Sequence, residues 1–412
     1  MSNIQQLLND FVMDYKNPFK MYELAKEYDK LDQDAAAFTY YLRAAEFCNG
    51  ETYDEKLLQY KSLILGAKCF ADQKNREVTV YSLLKMAITV LPNRPEAYYF
   101  MCNYCEENGE WRESLVYSSI GLLFVNTELS IGDNDIDYPG KQGLLYHNAS
   151  GSWKDNGTDE SKRLLFNVAY DKNIDKEWKD KSIGWLNNIG YPSYIPYEGE
   201  AEKYKFPFPG IEKVEKNYAR HYQDMFVLSA LDGKENGIWV EIGSGLPYKA
   251  NNTALLEDTF NWKGLSIDNS ERACYNYSKE RTSTVVMADG KDIHYPSMFK
   301  QSCLTDWIDF LRINAEQVSL DVLKKIPFGQ YEYGVIQFQH NACWWGPEFR
   351  EESRAYLKDI GYVLAVNDVA MDPLSNYEDW WLHPQVAQQK PNMIVNGHPD
   401  KKNFIYDYVM KE

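Results

Sequence analysis

Residues 237–268 read GIWVEIGSGLPYKANNTALLEDTFNWKGLSID. This stretch decides the fold, because it sets out a strand, a glycine loop, a helix and a second strand in turn. Ile238, Trp239 and Val240 are apolar enough for a buried parallel strand that ends at Glu241. Gly243 and Gly245 then let the backbone turn tightly against a ligand. The spacing predicts a helix starting near Asn252 and Thr253, both suited to N-capping, with Leu255, Leu256 and Phe260 turned inward. Gly264 to Ile267 forms the neighbouring strand, which ends in Asp268. An acidic residue about twenty positions after a glycine loop is placed to accept hydrogen bonds from a ribose.

The third glycine of the dinucleotide fingerprint is missing, and Glu241 would repel a pyrophosphate. S-adenosylmethionine has a ribose and a cationic tail but no phosphate, so it is the expected cofactor. Its expected site comprises Glu241, Gly243, Gly245, Asn252, Thr253 and Asp268, with Asp289 and Asn314 from further along the chain. A strand pair that binds nothing is the competing reading.

The downstream sequence extends the sheet. Val285–Ile293 (VVMADGKDI) reads as a third strand with Asp289 placed to meet a purine amino group. Asp309–Ile313 is a fourth, followed by a helix that buries Val318, Val322 and Leu323, and Gly334–Gln339 is a fifth. YVLAV (Tyr362–Val366) and NFIYDYV (Asn403–Val409) are expected on the far edge. Strands alternating with helices give a doubly wound, Rossmann-like α/β sheet, and ligands bind where its strand order reverses. Glu241, Asp268, Asp289, Asn314 and Gln339 are expected to converge there.

The front of the chain follows another rule. Residues 22–47 place Leu24, Ala25, Tyr28, Ala37, Tyr41 and Ala44 at the spacings of a tetratricopeptide helix pair. Related patterns occur at 56–92, at 95–123 with Gly109 at the turn, and at 144–171 with Gly157 at the turn and Trp153, Phe166 and Ala169 on packing positions. They predict an all-α solenoid over 1–190, a connector at 191–215 rich in Pro and Gly, and the α/β domain over 216–412. A solenoid offers a surface for a protein partner. Tyr40, Tyr41, Tyr98, Tyr99 and Tyr104 serve either as core or as the lining of a groove. The acidic stretch 126–141 reads as a loop, since its GDNDID lacks EF-hand spacing.

Composition narrows the partners. The 44 basic and 61 acidic side chains leave a net charge of −17, which disfavours nucleic acid and anionic lipid. The lysines of 172–181 and 203–216 are interleaved with acids and read as solvated faces. The first fifteen residues lack a signal-peptide pattern, and no apolar run suggests a membrane span. Seven cysteines, an odd and scattered set, suggest free thiols in a cytoplasmic protein. Cys102 and Cys105 lack a second pair and read as core thiols, and no metal site is expected.

Residues 221–245, 251–268, 309–326, 334–341, 349–365 and 378–384 (EDWWLHP) together resemble the FkbM-type methyltransferase domain, in the family's order. The resemblance implies a class I S-adenosylmethionine-dependent O-methyltransferase acting on a hydroxyl of a sugar, glycan or small metabolite. It places His340 and His383 on the acceptor side as candidate bases, with Glu316 as a third proton acceptor. Trp344, Trp345, Trp380 and Trp381 are suited to stacking on sugar faces or to core packing. Family members commonly carry an Asp and a Glu-Gly after the fourth strand and a Glu before the His-Asn pair. This chain has Asn314, Glu316-Gln317 and Gln339 there. Amides in place of carboxylates keep hydrogen-bonding shape but remove charge. Two alternatives therefore stay open: a cofactor-binding pseudoenzyme or repeat-based interaction protein in glycan synthesis, and a glycosyltransferase-associated protein.

Overall fold

The computed structural model describes residues 3–71, 76–127, 136–370, 375–395 and 408–411. Chain contacts divide the protein into two compact units, Met1–Ile189 and Gly190–Glu412.

The described part of the first unit is helical: α1 (Asn3–Met13), α2 (Pro18–Asp29), α3 (Asp34–Phe47), α4 (Tyr53–Ala71), α5 (Glu77–Val90), α6 (Glu96–Glu107), α7 (Trp111–Gly121), α8 (Lys141–Asn156), α9 (Asp159–Tyr170) and α10 (Lys176–Ile189). Each helix packs on its neighbours in sequence, and α2, α4, α6, α8 and α10 also touch in succession. Small residues make that approach possible: Ala25, Ala37 and Ala44 are completely buried between α2 and α3. Tyr41, Tyr98, Tyr99 and Tyr104 are also buried, which makes them core and not groove lining. Tyr40 is half-buried and stacks on Tyr28. Burial pushes the Cys105 thiol up to about 12, and the Cys102 thiol well above its ordinary value. Both stay protonated and inert. Most of the GDNDID stretch lies outside the described residues.

The second unit is a mixed α/β structure. Its elements are α11 (Gln223–Ala230), β1 (Ile238–Ile242), α12 (Ala254–Phe260), β2 (Lys263–Asp268), α13 (Glu271–Glu280), β3 (Thr284–Met287), α14 (Tyr295–Gln301), β4 (Trp307–Ile313), α15 (Ser319–Lys325), β5 (Glu332–Gln339), α16 (Ala342–Trp345), α17 (Glu348–Asp359), β6 (Val363–Ala370), β7 (Asn376–Leu382) and α18 (Pro384–Gln389). Among the described residues the sheet has seven strands in the order β3-β2-β1-β4-β5-β7-β6. β1 to β5 are parallel, and β7 runs antiparallel between β5 and β6. This arrangement is a doubly wound, Rossmann-like α/β sheet with one antiparallel strand inserted near its far edge.

One face of the sheet presents Val240, Ile242, Leu265, Ile267, Leu311, Ile313, Ile336 and Phe338 to a core that includes Tyr295 and Leu357. The other face carries Trp239 and Trp380, with Phe226 of α11 packed on the Trp380 ring at 4.6 Å. Gly264 lets the Trp239 indole lie flat against β2, since a Cβ there would sit 2.4 Å from the ring.

Two expectations shift. The third strand ends at Met287, and Gly290–Asp292 form a 3₁₀ turn in place of further strand. The far edge is the β6–β7 hairpin, so the EDWW segment is a buried strand, while NFIYDYV lies mostly outside the described residues. Residues 191–215 fall within the second unit. Tyr191, Tyr197, Tyr204, Phe206, Phe208 and Val214 are buried there, and Tyr204 pairs with Met410 in an antiparallel bridge.

Candidate functional site

The strand order reverses between β1 and β4, and the site is built from residues that the register lines up there. Glu241 on β1 pairs with Ser266 on β2 and Arg312 on β4, Arg312 pairs with Gln337 on β5, and Gln337 with Trp380 on β7. These residues share the face toward α11 and α12. Two residues nearer the carboxyl ends of the parallel strands, the same face carries Asp268, Gly243, Asn314, Gln339 and, directly paired with Gln339, Glu378.

The lower row is a closed polar layer. Glu241 is fully buried and accepts from Thr253 Oγ1 (3.2 Å) and Ser266 Oγ (3.3 Å), with Arg312 at 3.5 Å. Burial raises its pKa, while Arg312 and Arg281 pull it down. Asn252 Nδ2 donates to Gln337 Oε1 (3.1 Å), and Gln337 Nε2 donates to the carbonyl of Gln223 (2.9 Å). Glu241, Asn252 and Thr253 thus support the loop from below and do not open onto a ligand. The helix cap is also displaced by one or two residues. Asn251 Oδ1 accepts the Thr253 and Ala254 N–H groups, and it also holds Arg281 at 3.1 Å.

The loop itself is shaped by its two glycines. Gly243 has φ of +83°, and a Cβ there would lie 1.8 Å from the carbonyl oxygen of Asn314. It lets β1 and β4 close on each other, not on a ligand as the sequence suggested. Gly245, at φ +64°, faces open space, and its N–H donates to Asp268 Oδ2 at 2.8 Å. Asp268 Oδ1 accepts from Ser270 N. A carboxylate has about four acceptor positions, so two remain. Asp289 caps the 3₁₀ turn by accepting from Lys291 N (3.1 Å), and its side chain is one-third exposed.

Several buried polar atoms of this region have no hydrogen-bond partner among the described residues: Glu241 Oε1, Ser244 Oγ, Arg312 Nε, Asn314 Oδ1, Asn341 Nδ2 and Glu378 Oε2. Native interiors leave few such atoms, so a cluster of them at the carboxyl ends marks a place where something polar belongs. Glu378 is fully buried and accepts from Trp380 Nε1 (2.6 Å). Burial raises its pKa against the pull of Arg312. His221 Nδ1 and Gln223 Nε2 both meet the Tyr377 hydroxyl, at 2.8 and 2.9 Å, and burial pushes His221 down to about 3.

The expected proton acceptors separate. His340 is buried beyond β5. Its Nδ1 accepts from Ala342 N (3.1 Å), and its Nε2 lies 3.5 Å from Asp379. Arg354 grips Asp379 at 2.7 and 2.8 Å, and with His340 it holds that carboxyl below its ordinary value despite burial. His340, Asp368 and Asp379 have donor atoms within 4.8 Å of one another, but Arg350 and Arg354 already balance both carboxylates. This grouping is an ion-pair network, in which a further cation would be repelled.

His383 sits elsewhere. Its N–H donates to the Gly334 carbonyl near the start of β5, its ring packs edge-on against Trp307 at 5.0 Å, and its Nδ1 caps α18. The crevice end of β5 is five residues away, about 16 Å at ~3.3 Å per residue. The structure therefore does not bring His383 to the candidate site. Glu316 is exposed just beyond Asn314, with φ of +53°. Trp380 and Trp381 are completely buried, whereas Trp344 is 58% exposed on α16, so the two Trp pairs do not flank one crevice.

The residues that sequence reading missed are His221, Arg312, Tyr377 and Glu378. Glu378 lay inside the quoted EDWW motif, but its place opposite Gln339 depends on strand register.

No family model matches the sequence, and no curated protein does. Solved structures with partial likeness include a putative rRNA methylase from Clostridium thermocellum, at 16% identity and a TM-score of 0.29, over 39% of this chain and 90% of that one. Another is PH0851, at 11% identity and a TM-score of 0.29, over 84% of this chain and 93% of that one. A mutant O-GlcNAc transferase from Thermobaculum terrenum matches at 11% identity and a TM-score of 0.20, over 79% of this chain and 50% of that one. Superpositions this loose leave function to the chain's own residues.

Proposed function

We propose that this chain is an S-adenosylmethionine-dependent methyltransferase that modifies a hydroxyl of a sugar or glycan. The observation that carries the reading is the cluster of unpartnered buried polar atoms at the β1–β4 reversal, flanked by two carboxylates with free acceptor positions. Asp268, at the end of β2, has the position and spare lone pairs for ribose hydroxyls. Asp289, after β3, is placed for a purine amino group. The open space at Gly245 admits a ligand against the loop backbone.

Bound there, the cofactor supplies a methyl group on a positively charged sulfur. The protein's share is alignment, since holding an acceptor in line with a reactive group removes much of the barrier. Gln339, Asn341 and Glu378 line the acceptor end with hydrogen-bonding groups, and the exposed Trp344 offers an apolar face to a sugar ring. Of the three expected proton acceptors, Glu316 alone keeps an exposed carboxylate beside that end. His340 turns both ring nitrogens toward its own network.

For the helical unit we propose a tetratricopeptide-like solenoid that presents a surface to a protein partner, supported by the stepwise packing of neighbouring helices. Among the described residues, no helix is long and apolar enough to cross a membrane. Calorimetric titration with S-adenosylmethionine, followed by methyl transfer from labelled cofactor to a panel of sugars, tests the reading. Absence of cofactor binding would refute it.

A further inference from the structure

We infer that the floor of the site is charge-selective, with the buried Glu241 and Glu378 on the same sheet face as Arg312, so that the crevice favours a cationic ligand over its neutral counterpart. The inference rests on the methyltransferase reading and concerns which form of the cofactor the site prefers.

Both carboxylates are fully buried. Arg312 is the cation they share: it lies 3.5 Å from Glu241 Oε1 and is the strongest positive influence on Glu378. Its NH1 is also committed to the Gly243 carbonyl at 2.7 Å. The other buried guanidinium nearby, Arg281, pairs with Glu257 at 2.7 and 2.9 Å and acts on Glu241 more weakly than Arg312 does. Across the crevice, Asp379 and Asp368 are balanced by Arg354 and Arg350, and His221 is held neutral by burial. Burial raises the pKa of both carboxyl groups and one guanidinium can offset only one of them, so a cation arriving beside them is what favours full ionisation of the pair. Among the unpartnered atoms, Glu241 Oε1, Glu378 Oε2 and Asn314 Oδ1 are acceptors, while Arg312 Nε and Asn341 Nδ2 are donors. A buried charge without a counter-ion is costly, and a cation supplied by the ligand removes the cost.

Glu378 stands two strands from Asn314, about 10 Å at ~4.8 Å per strand. One charge at that distance, at an effective dielectric of about 20, changes the affinity for a monovalent cation roughly tenfold. S-adenosylmethionine and S-adenosylhomocysteine differ by one methyl group and by the positive charge on sulfur. Sinefungin carries an amine at the same place.

The test is calorimetric titration of the full chain with these three compounds, for wild type and Glu378→Gln. S-adenosylmethionine and sinefungin are expected to bind wild type about tenfold tighter than S-adenosylhomocysteine. In Glu378→Gln the gap should shrink to about twofold, while S-adenosylhomocysteine affinity moves by less than about threefold. Equal or tighter binding of the neutral compound by wild type, or an undiminished gap in the variant, overturns the inference but leaves the methyltransferase reading intact. If none of the three binds wild type, that reading itself fails. Should Glu378→Gln not fold, the wild-type preference still decides the matter.

Discussion

Asp268 closes the loop it faces: its Oδ2 accepts the N–H of Gly245 at 2.8 Å, tying the end of β2 to the turn after β1. One carboxylate both shapes the loop and keeps acceptor positions for a ligand. Asp268→Ala should weaken S-adenosylmethionine binding by about 1–3 kcal/mol, the cost of leaving polar partners unmatched. Calorimetry measures this directly, and an unchanged Kd would remove Asp268 from the site.

Gly243→Ala should destabilise the second unit by roughly 3 kcal/mol or more, because the new Cβ meets the Asn314 carbonyl and the backbone stays in the left-handed region. Thermal unfolding reads the effect. Gly245→Ala, where no atom lies within 4 Å, is expected to cost less.

His383→Ala should leave cofactor affinity and turnover within a few fold and lower stability by about 1 kcal/mol through loss of the α18 cap. Glu316→Gln, on an identified acceptor, should reduce turnover about a hundredfold if its carboxylate takes the proton. Steady-state kinetics of the pair separate the loop after β4 from the start of β5.

The stability that His221 contributes should fall as pH drops below about 6.5, while the buried Asp224, pushed up to about 6, acts in the opposite direction below that value. Burial depresses His221 to about 3 from its ordinary 6.5, so the unfolded chain binds a proton in this window that the folded chain refuses. The contribution is fully present above 6.5 and is lost progressively toward 3. In denaturant titrations at pH 7 and pH 5, wild type should lose more stability, or gain less, on acidification than His221→Gln does.

Residues 3–189 expressed alone should give a strongly helical circular dichroism spectrum with a cooperative melt, since each helix finds its partners among its neighbours in sequence. A disordered spectrum would refute independent folding.

Much of the second unit was legible in local sequence, because β1, the glycine loop, α12 and β2 are contiguous and each signals itself within a few residues. The cap was misread by one or two positions, since Asn251, Asn252 and Thr253 are equally suited to the role. Only tertiary demand sends Asn252 to Gln337 and Asn251 to Arg281. β7 was not legible as a strand. Glu378 and Asp379 argue against burial until Arg312 and Arg354 arrive from distant segments to meet them. His383 was misplaced for a directional reason. The resemblance puts the EDWWLHP segment on the acceptor side but says nothing about which way its strand runs, and an antiparallel strand carries the histidine away from the crevice.

The insertion of β7 between β5 and β6 also governs the order of assembly. As the chain emerges, β1 to β5 can pair at once, but β5 then presents an edge of unpaired backbone N–H and C=O groups until a segment made later slides in beside it. A nascent protein halted in that interval has a half-finished crevice and a sticky flank. Late synthesis of β7 thus leaves an interval in which that edge can pair with another copy.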